Sequence, residues 1–285
     1  MVFTLLYTTT GTCILSSVSE QLKVVEGNRV TLKNEEKLAS VEVIQESFEK
    51  LHYICNPQIA TAVFLAYHLE KPILIEGPPG VGKTELAKTA AEMLELECIR
   101  LQCYEGLDES KAIYEWKYGK QLLYTQVLKE TLNEILEGAK GLSQSVDKLH
   151  EFGDIFFSEE FLEPRPLLKA LRNDDSCVLL IDEVDKSDHE FESLLLEMLS
   201  DFQLSIPEIG TVKAIENRKP LVFLTSNNTR EISDALKRRC LHLYIPFPDV
   251  DLERKIVQAR VPEIAEKLRN QMVTFIQELR DLDLK

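Results

Sequence analysis

At 285 residues and 44% hydrophobic content, the chain can bury one large core, or a medium one with a small companion. Its formal net charge of −15 comes from 48 acidic against 33 basic residues and repels polyanions; the longest basic run is Lys237-Arg238-Arg239, which disfavours general nucleic-acid binding. No apolar run approaches the ~18 residues that span a bilayer, so no membrane segment is expected. The Thr-rich, apolar start (Met1–Ser17) precedes the first basic residue, Lys23, which is not the pattern of a secretory signal. Six cysteines (Cys13, Cys55, Cys98, Cys103, Cys177, Cys240) form no C-x-x-C pair and have no His at zinc-ligand spacing. They are expected to be buried small side chains in a reducing compartment, the cytoplasm.

Residues 1–39 read as an extension. Within it Leu22-Lys-Val-Val, a Glu26-Gly-Asn turn and Arg29-Val-Thr-Leu predict a short β-hairpin. From Ser40 the helical period takes over. Val41, Ile44, Phe48 and Leu51 share a face, and after Pro57 so do Ile59, Ala62, Val63 and Ala66. Short apolar runs then alternate with helices: a strand at Ile73–Ile75, a helix over Thr84–Leu96, a strand at Cys98–Cys103, a helix over Asp108–Tyr124, and a polar helix over Leu128–Leu149. Val178–Ile181 is wholly apolar, as in a strand covered on both faces. Ser187-Asp-His-Glu190 reads as a capping box opening a helix whose stripe is Phe191, Leu194, Leu195, Met198, Leu199 and Phe202. Strands at Leu221–Thr225 and Leu241–Ile245 follow. The alternation predicts an α/β fold with a mostly parallel sheet and helices on both faces, over residues 40–247. Beyond Pro246-Phe-Pro-Asp249 only helices remain, one marked by Leu252, Ile256 and Val257, the next carrying Pro262 in its first turn. Residues 248–285 are therefore a small helical appendage.

Gly77-Pro78-Pro79-Gly80-Val81-Gly82-Lys83-Thr84 fits G-x-x-x-x-G-K-[ST] and lies between a predicted strand and helix, where such a loop works. Its glycines let backbone N–H groups turn toward phosphate oxygens, and the following helix adds its positive dipole end. Lys83 suits the β- and γ-phosphates of ATP, and the Thr84 hydroxyl suits Mg²⁺. Cys177-Val-Leu-Leu-Ile-Asp182-Glu183 ends a buried strand in two carboxylates, which is costly unless a cation or water uses them. Beside such a loop, Asp182 suits Mg²⁺ and Glu183 suits a base on the attacking water; Asp185 and Lys186 read as solvated turn residues. Leu221-Val-Phe-Leu-Thr-Ser-Asn227 brings polar groups to a strand's carboxyl end, where Asn227 can orient water or touch the γ-phosphate; the plain alternative is an Asn-rich turn. Arg238 and Arg239 either face solvent or are donated across an interface to stabilise transition-state charge.

These four motifs, in this order, resemble the AAA+ superfamily of P-loop NTPases, with Gly77–Thr84 as Walker A, Leu179–Glu183 as Walker B, Thr225-Ser-Asn227 as sensor 1 and Arg238/Arg239 as the arginine finger. Arg100-Leu-Gln-Cys-Tyr-Glu-Gly-Leu-Asp108, Tyr114-Glu-Trp116, Asp182-Glu-Val-Asp-Lys186 and Asp234-Ala-Leu-Lys-Arg-Arg-Cys240 are similar to MoxR-type ATPases, in particular the CoxD-like branch associated with maturation of carbon monoxide dehydrogenase. The resemblance implies a three-layer α/β/α core with a five-stranded parallel sheet in the order 5-1-4-3-2, followed by a helical lid. It implies a hexameric ring with ATP at subunit interfaces, an insertion in the helix near Ala112–Leu123 and a hairpin near Leu204–Ile215. It implies chaperone-like action on a protein client, with a von Willebrand factor A-domain partner. Gln102 matches the position that restrains the catalytic glutamate. The family's lid continues past the point where this chain stops, so an incomplete lid is expected. Two rivals are a nucleotide-switched scaffold with little hydrolysis and a DNA-directed motor, which the acidic balance disfavours.

Overall fold

The computed structural model describes residues 34–124, 126, 159–207 and 209–281; the expected hairpin near the start and the helix over Leu128–Leu149 lie outside the described residues. Local chemistry starts the first helices where the periodicity placed them. In Val41–Lys50 (α1) the Ser40 hydroxyl accepts from the Val43 N–H at 3.3 Å. In Pro57–His68 (α2) Asn56 accepts from the Ile59 N–H at 2.8 Å, with proline at the first turn, where its missing N–H costs nothing. Ile73–Glu76 (β1), Lys83–Leu94 (α3) and Glu97–Gln102 (β2) follow.

The next stretch departs from expectation in its middle. Asp108–Tyr124 is not one helix: a single turn, Glu109–Ala112 (α4), gives way to Tyr114–Trp116 (β3), which pairs antiparallel with Leu162–Pro164 (β4), and the chain is helical again over 118–124. Tyr114 and Trp116, two apart, stack edge-on at 5.7 Å and pack against the core, a period-two contact no helix provides. The strand β3 falls within the stretch where the insertion was expected, near Ala112–Leu123. Pro166–Leu171 (α5), Cys177–Asp182 (β5) and His189–Asp201 (α6) lead to the hairpin Gln203–Ile206 (β6) with Gly210–Lys213 (β7), where a hairpin was expected. The α6 cap is Asp188, which accepts from the Phe191 N–H at 2.8 Å; Ser187, expected in that role, instead donates its hydroxyl to the Val184 carbonyl at 2.7 Å. Leu221–Ser226 (β8), Asp234–Lys237 (α7), Leu241–Tyr244 (β9), Val250–Arg260 (α8) and Glu266–Asp281 (α9) complete the order. Pro262 lies in the α8–α9 connection rather than in a first turn, and its carbonyl accepts from Gln258 at 2.9 Å.

The main sheet runs β2-β5-β8-β1-β9 with every neighbouring pair parallel. Counted along the chain, this is the order 5-1-4-3-2 of a three-layer α/β/α P-loop NTPase. Alternate residues of one strand serve opposite layers. Leu74, Leu179, Ile181, Val222 and Leu224 pack with α5, α6 and α7 through Leu167, Leu195 and Leu236. Ile73, Ile75, Val178, Leu180 and Phe223 pack with α1, α2 and α3 through Phe48, Val63 and Leu86. Cys55, Cys103 and Cys177 are buried among these side chains without disulfides. Leu38 belongs to the second layer, so the described residues ahead of Ser40 contribute one side chain to this core.

Helices α8 and α9 hold each other chiefly by charge. Arg280 forms a fork on Glu253 at 2.8 and 2.9 Å, Gln277 donates to the same carboxylate at 2.6 Å, and Arg280 lies over the Phe247 ring. Arg260 reaches Glu85 of α3 at 2.6 Å, tying this pair to the helix behind the glycine loop. No described helix is long and apolar enough to cross a membrane.

Phe223, fully buried between Ile73 and Leu180 in the central strands, tests the two-layer core. Phe223→Ala should lower unfolding free energy by about 3–5 kcal/mol in a urea titration.

Candidate functional site

Because the five strands run one way, their carboxyl ends share an edge, the edge at which open α/β sheets take ligands. The register sets Gln102 beside Asp182 and Glu76 beside Ser226, so the ends of β1, β2, β5 and β8 face one place. Sequence separations of about a hundred residues are closed here by strand pairing alone.

The glycine loop leaves β1 at that edge. Gly77 (φ +152°) passes so near β9 that a Cβ would lie 2.1 Å from the Ile245 carbonyl oxygen, which no side chain tolerates. Gly80 (φ +83°) and Gly82 (φ +93°) take left-handed conformations that admit glycine readily, and nothing lies within 4 Å of a Cβ at Gly80. Helix α3 opens on Gly82 with no side-chain cap. Among the described residues the N–H groups of Gly80, Val81, Gly82, Lys83 and Thr84 have no acceptor. Free N–H groups at a helix N-terminus are the kind of donor set an anion takes.

Lys83 is buried and folds over the loop, donating to the carbonyls of Gly77 (2.6 Å) and Pro78 (2.8 Å) and to Asn227 Oδ1 (2.7 Å). Burial pushes its ammonium below the usual lysine range, against the opposing pull of Asp185, Asp182 and Glu183. Thr84 donates to Asp182 Oδ1 at 3.0 Å, and Thr225 donates to the same oxygen at 2.6 Å. Asp182 Oδ2 accepts from Arg100 Nη2 at 2.5 Å and Nε at 3.0 Å.

Glu183 sits just past the strand in a left-handed conformation (φ +58°, ψ +50°), strained for a residue with a side chain, which turns it off the strand axis. Its carboxylate accepts from Gln102 Nε2 (2.9 Å), Lys186 Nζ (2.6 Å) and Asn227 Nδ2 (3.4 Å). Asn227 therefore joins Lys83 on its carbonyl side to Glu183 on its amide side. The residues picked out from the sequence, Gly77–Thr84, Gln102, Asp182, Glu183 and Asn227, converge.

Arg238 and Arg239 do not join them. Both precede β9, and Leu241 donates to the Pro72 carbonyl at the amino end of β1, the opposite edge of the sheet. Arg239 donates to Ser200 Oγ (2.7 Å) and the Ala235 carbonyl (3.1 Å), whereas the exposed Arg238 side chain has no hydrogen bond or ion pair among the described residues.

Asp185 corrects the sequence reading. It is buried rather than solvated, and its Oδ2 accepts from the Thr229 hydroxyl (2.6 Å), the Thr229 N–H (2.9 Å) and the Asn227 N–H (3.2 Å). Burial alone would raise its pKa, but the bonds from Thr229 and Asn227 together hold the carboxyl below the usual aspartate value. Glu192, which the sequence did not single out, is buried and accepts from the Ser233 N–H (3.0 Å) and from Arg230, which also donates to the Ser187 carbonyl at 2.8 Å. Here too burial raises and the hydrogen bonds from Ser233 and Arg230 outweigh it, leaving the carboxyl below its ordinary range. Their partners lie 38 to 44 positions away, so no local spacing could reveal them.

Residues 72–240, more than half of the chain, match the AAA domain family, dynein-related subfamily. The chain belongs to this AAA family. Uncharacterized proteins from Staphylococcus aureus strains USA300 and bovine RF122 / ET3-1 are each 24% identical over 221 residues, covering 76% of this AAA chain and 71% of theirs. A Cytophaga hutchinsonii crystal structure, described as that of a candidate ATPase, superposes with a TM-score of 0.48 at 19% identity. It covers 88% of this chain, which spans 60% of the length of the other.

The depressed Asp185 carboxyl gives the AAA domain an acid-sensitive clamp. A group whose native pKa lies below its unfolded value contributes stability above the ordinary aspartate value of about 3.9, lost as pH falls through the native value. Asp185→Asn should lower stability at pH 7, and its difference from wild type in urea titrations should shrink as the pH is taken below about 4.

Proposed function

We propose that this AAA domain binds ATP and hydrolyses it with Mg²⁺, as one subunit of a ring that remodels a protein client. The observation that carries the proposal is the direct contact of Thr84 with Asp182 at 3.0 Å, beside the unsatisfied N–H groups of Gly80–Thr84. An anion cradle and a hard-oxygen donor set a few ångströms apart fit a triphosphate and a divalent metal. The loop backbone would bind the phosphates. Thr84 and Asp182 would hold Mg²⁺, whose charge, when bound, offsets that of the phosphate oxygens.

Each remaining residue has a task its contacts support. Lys83 now satisfies carbonyls of its own loop, bonds a phosphate oxygen could replace. Glu183 would take the proton of the attacking water, and Asn227, hydrogen-bonded to both Lys83 and Glu183, would fix that water between phosphate and base. Gln102 and Lys186 hold Glu183 in its present position, a restraint that must be released before it acts as a base.

Arg238 and Arg239 lie on the opposite edge, so their charge could serve only a neighbouring subunit's nucleotide. Arg238, without a partner among the described residues, is the better finger. A closed ring, hexameric by the MoxR resemblance, follows from that division. A CoxD-like role in maturing or metal-loading a client enzyme, with a von Willebrand factor A-domain partner in the cytoplasm, rests on the motif resemblance. The division at Pro248 would make α8 and α9 a lid that reports on nucleotide through Arg260 and Glu85.

Three substitutions separate these tasks. Lys83→Ala should abolish binding of a fluorescent ATP analogue. Glu183→Gln should keep that binding and lose turnover by about 10²–10⁴-fold. Wild-type specific activity should rise with protein concentration, and Arg238→Ala should remove the rise, with about 10³-fold lower activity at saturation. Turnover retained in Glu183→Gln would remove the glutamate from its role.

A further inference from the structure

The carboxylate of Asp182 already has a cation. Its side chain is 4% exposed, and Oδ1 receives only neutral donors, the hydroxyls of Thr84 and Thr225. A buried carboxylate with neutral partners alone is costly, and the compensating charge comes from Arg100, through Nη2 and Nε on the single oxygen Oδ2. Arg100 is on β2 beside Leu180, two positions before Gln102, so its side chain runs along the strand to reach the tip of β5. The same Nη2 contacts Gln102 Oε1, while Gln102 Nε2 holds Glu183. Lys83 does not touch Asp182, and Lys186 is engaged by Glu183. Arg100 itself is 48% exposed at its side chain, so its guanidinium has solvent to move into.

This arrangement has a consequence for metal entry, and it rests on Asp182 being the metal ligand of the proposed function. A free divalent ion approaching Asp182 meets a carboxylate whose charge is already neutralised and whose Oδ2 lone pairs are taken by the guanidinium. An ion arriving with a triphosphate keeps its phosphate ligands and needs only a second anchor. We propose that Arg100 is a built-in counter-cation that holds Asp182 in place of the metal, excluding free Mg²⁺ and admitting the metal only together with nucleotide. Arg100 is thus a positioning residue acting through Asp182. Lysine would not replace it, since one ammonium cannot reproduce the two-nitrogen contact.

The test uses the full chain and Mn²⁺, whose free form is counted by electron paramagnetic resonance, with and without a non-hydrolysable ATP analogue. Wild type should bind Mn²⁺ with the analogue and only weakly without it. Arg100→Met, which keeps the apolar stem and removes the charge, should bind Mn²⁺ alone about tenfold or more tightly than wild type, a change worth ~1.4 kcal/mol. Adding Asp182→Asn should erase that gain. Arg100→Lys should fall between wild type and Arg100→Met, and it carries the test if Arg100→Met fails to fold by circular dichroism. Folded Arg100→Met, or in its place Arg100→Lys, that binds free Mn²⁺ no better than wild type, while wild type binds Mn²⁺ with the analogue, overturns the role of Arg100 alone. Wild type that binds Mn²⁺ under neither condition overturns the metal site itself.

Discussion

The rest of the site depends on one buried carboxylate, Asp182. Thr84 from the helix after the glycine loop, Thr225 from β8 and Arg100 from β2 all terminate on its two oxygens. Asp182 and Thr225 are buried, so losing their mutual contact would leave an expensive unpaired group, whereas Arg100 keeps half its side chain in solvent. The consequence is geometric: the glycine loop, the strand tip bearing Glu183 and the β8 tip bearing Asn227 are joined in one arrangement. Gly77 permits the same arrangement from the backbone, since only a residue without a side chain fits so close to the Ile245 carbonyl.

Two other buried acids carry this order away from the site. Asp185 grips the backbone at Asn227 and Thr229, and Glu192 grips Arg230 and Ser233. Between them they clamp residues 227–233, the segment leading from Asn227 to the helix before Arg238 and Arg239. Both edges of the sheet are thereby joined by a short, heavily hydrogen-bonded connector. In the proposed ring, that connector would make the finger offered to a neighbour sensitive to the position of Asn227 in its own subunit.

Much of this was legible in the sequence, for identifiable reasons. Short apolar runs alternating with helical periods marked the five main strands to within a residue or two; the central strands β1, β5 and β8 are buried along their whole length and so largely apolar, whereas the edge strands β2 and β9 mix buried and exposed positions. The glycine loop declared itself because left-handed backbone and a lysine above phosphates demand particular residues at fixed spacing. Other readings failed where tertiary contacts override local rules. Asp185 looked like a turn residue because its partners are more than forty positions away. Ser187 fitted a capping pattern, but its hydroxyl is taken by Val184, leaving the cap to Asp188. Tyr114 and Trp116 broke a predicted helix because β4, some fifty residues later, offers them a strand to pair with.

Adjacent residues alone specify which groups are present: a glycine-rich loop with Lys83 and Thr84, a pair of strand-tip carboxylates, a polar strand end and a basic run, each a local pattern. Which of these face one another is set by how the strands pair. Parallel pairing brought Lys83, Asp182, Glu183, Gln102 and Asn227 to one edge and carried Arg238 and Arg239 to the other. It also gave Asp182 its counter-cation and Asp185 its clamp. Local pattern records the conformational preferences of neighbouring residues, whereas the partner of a buried charge is whatever the packed sheet places within reach.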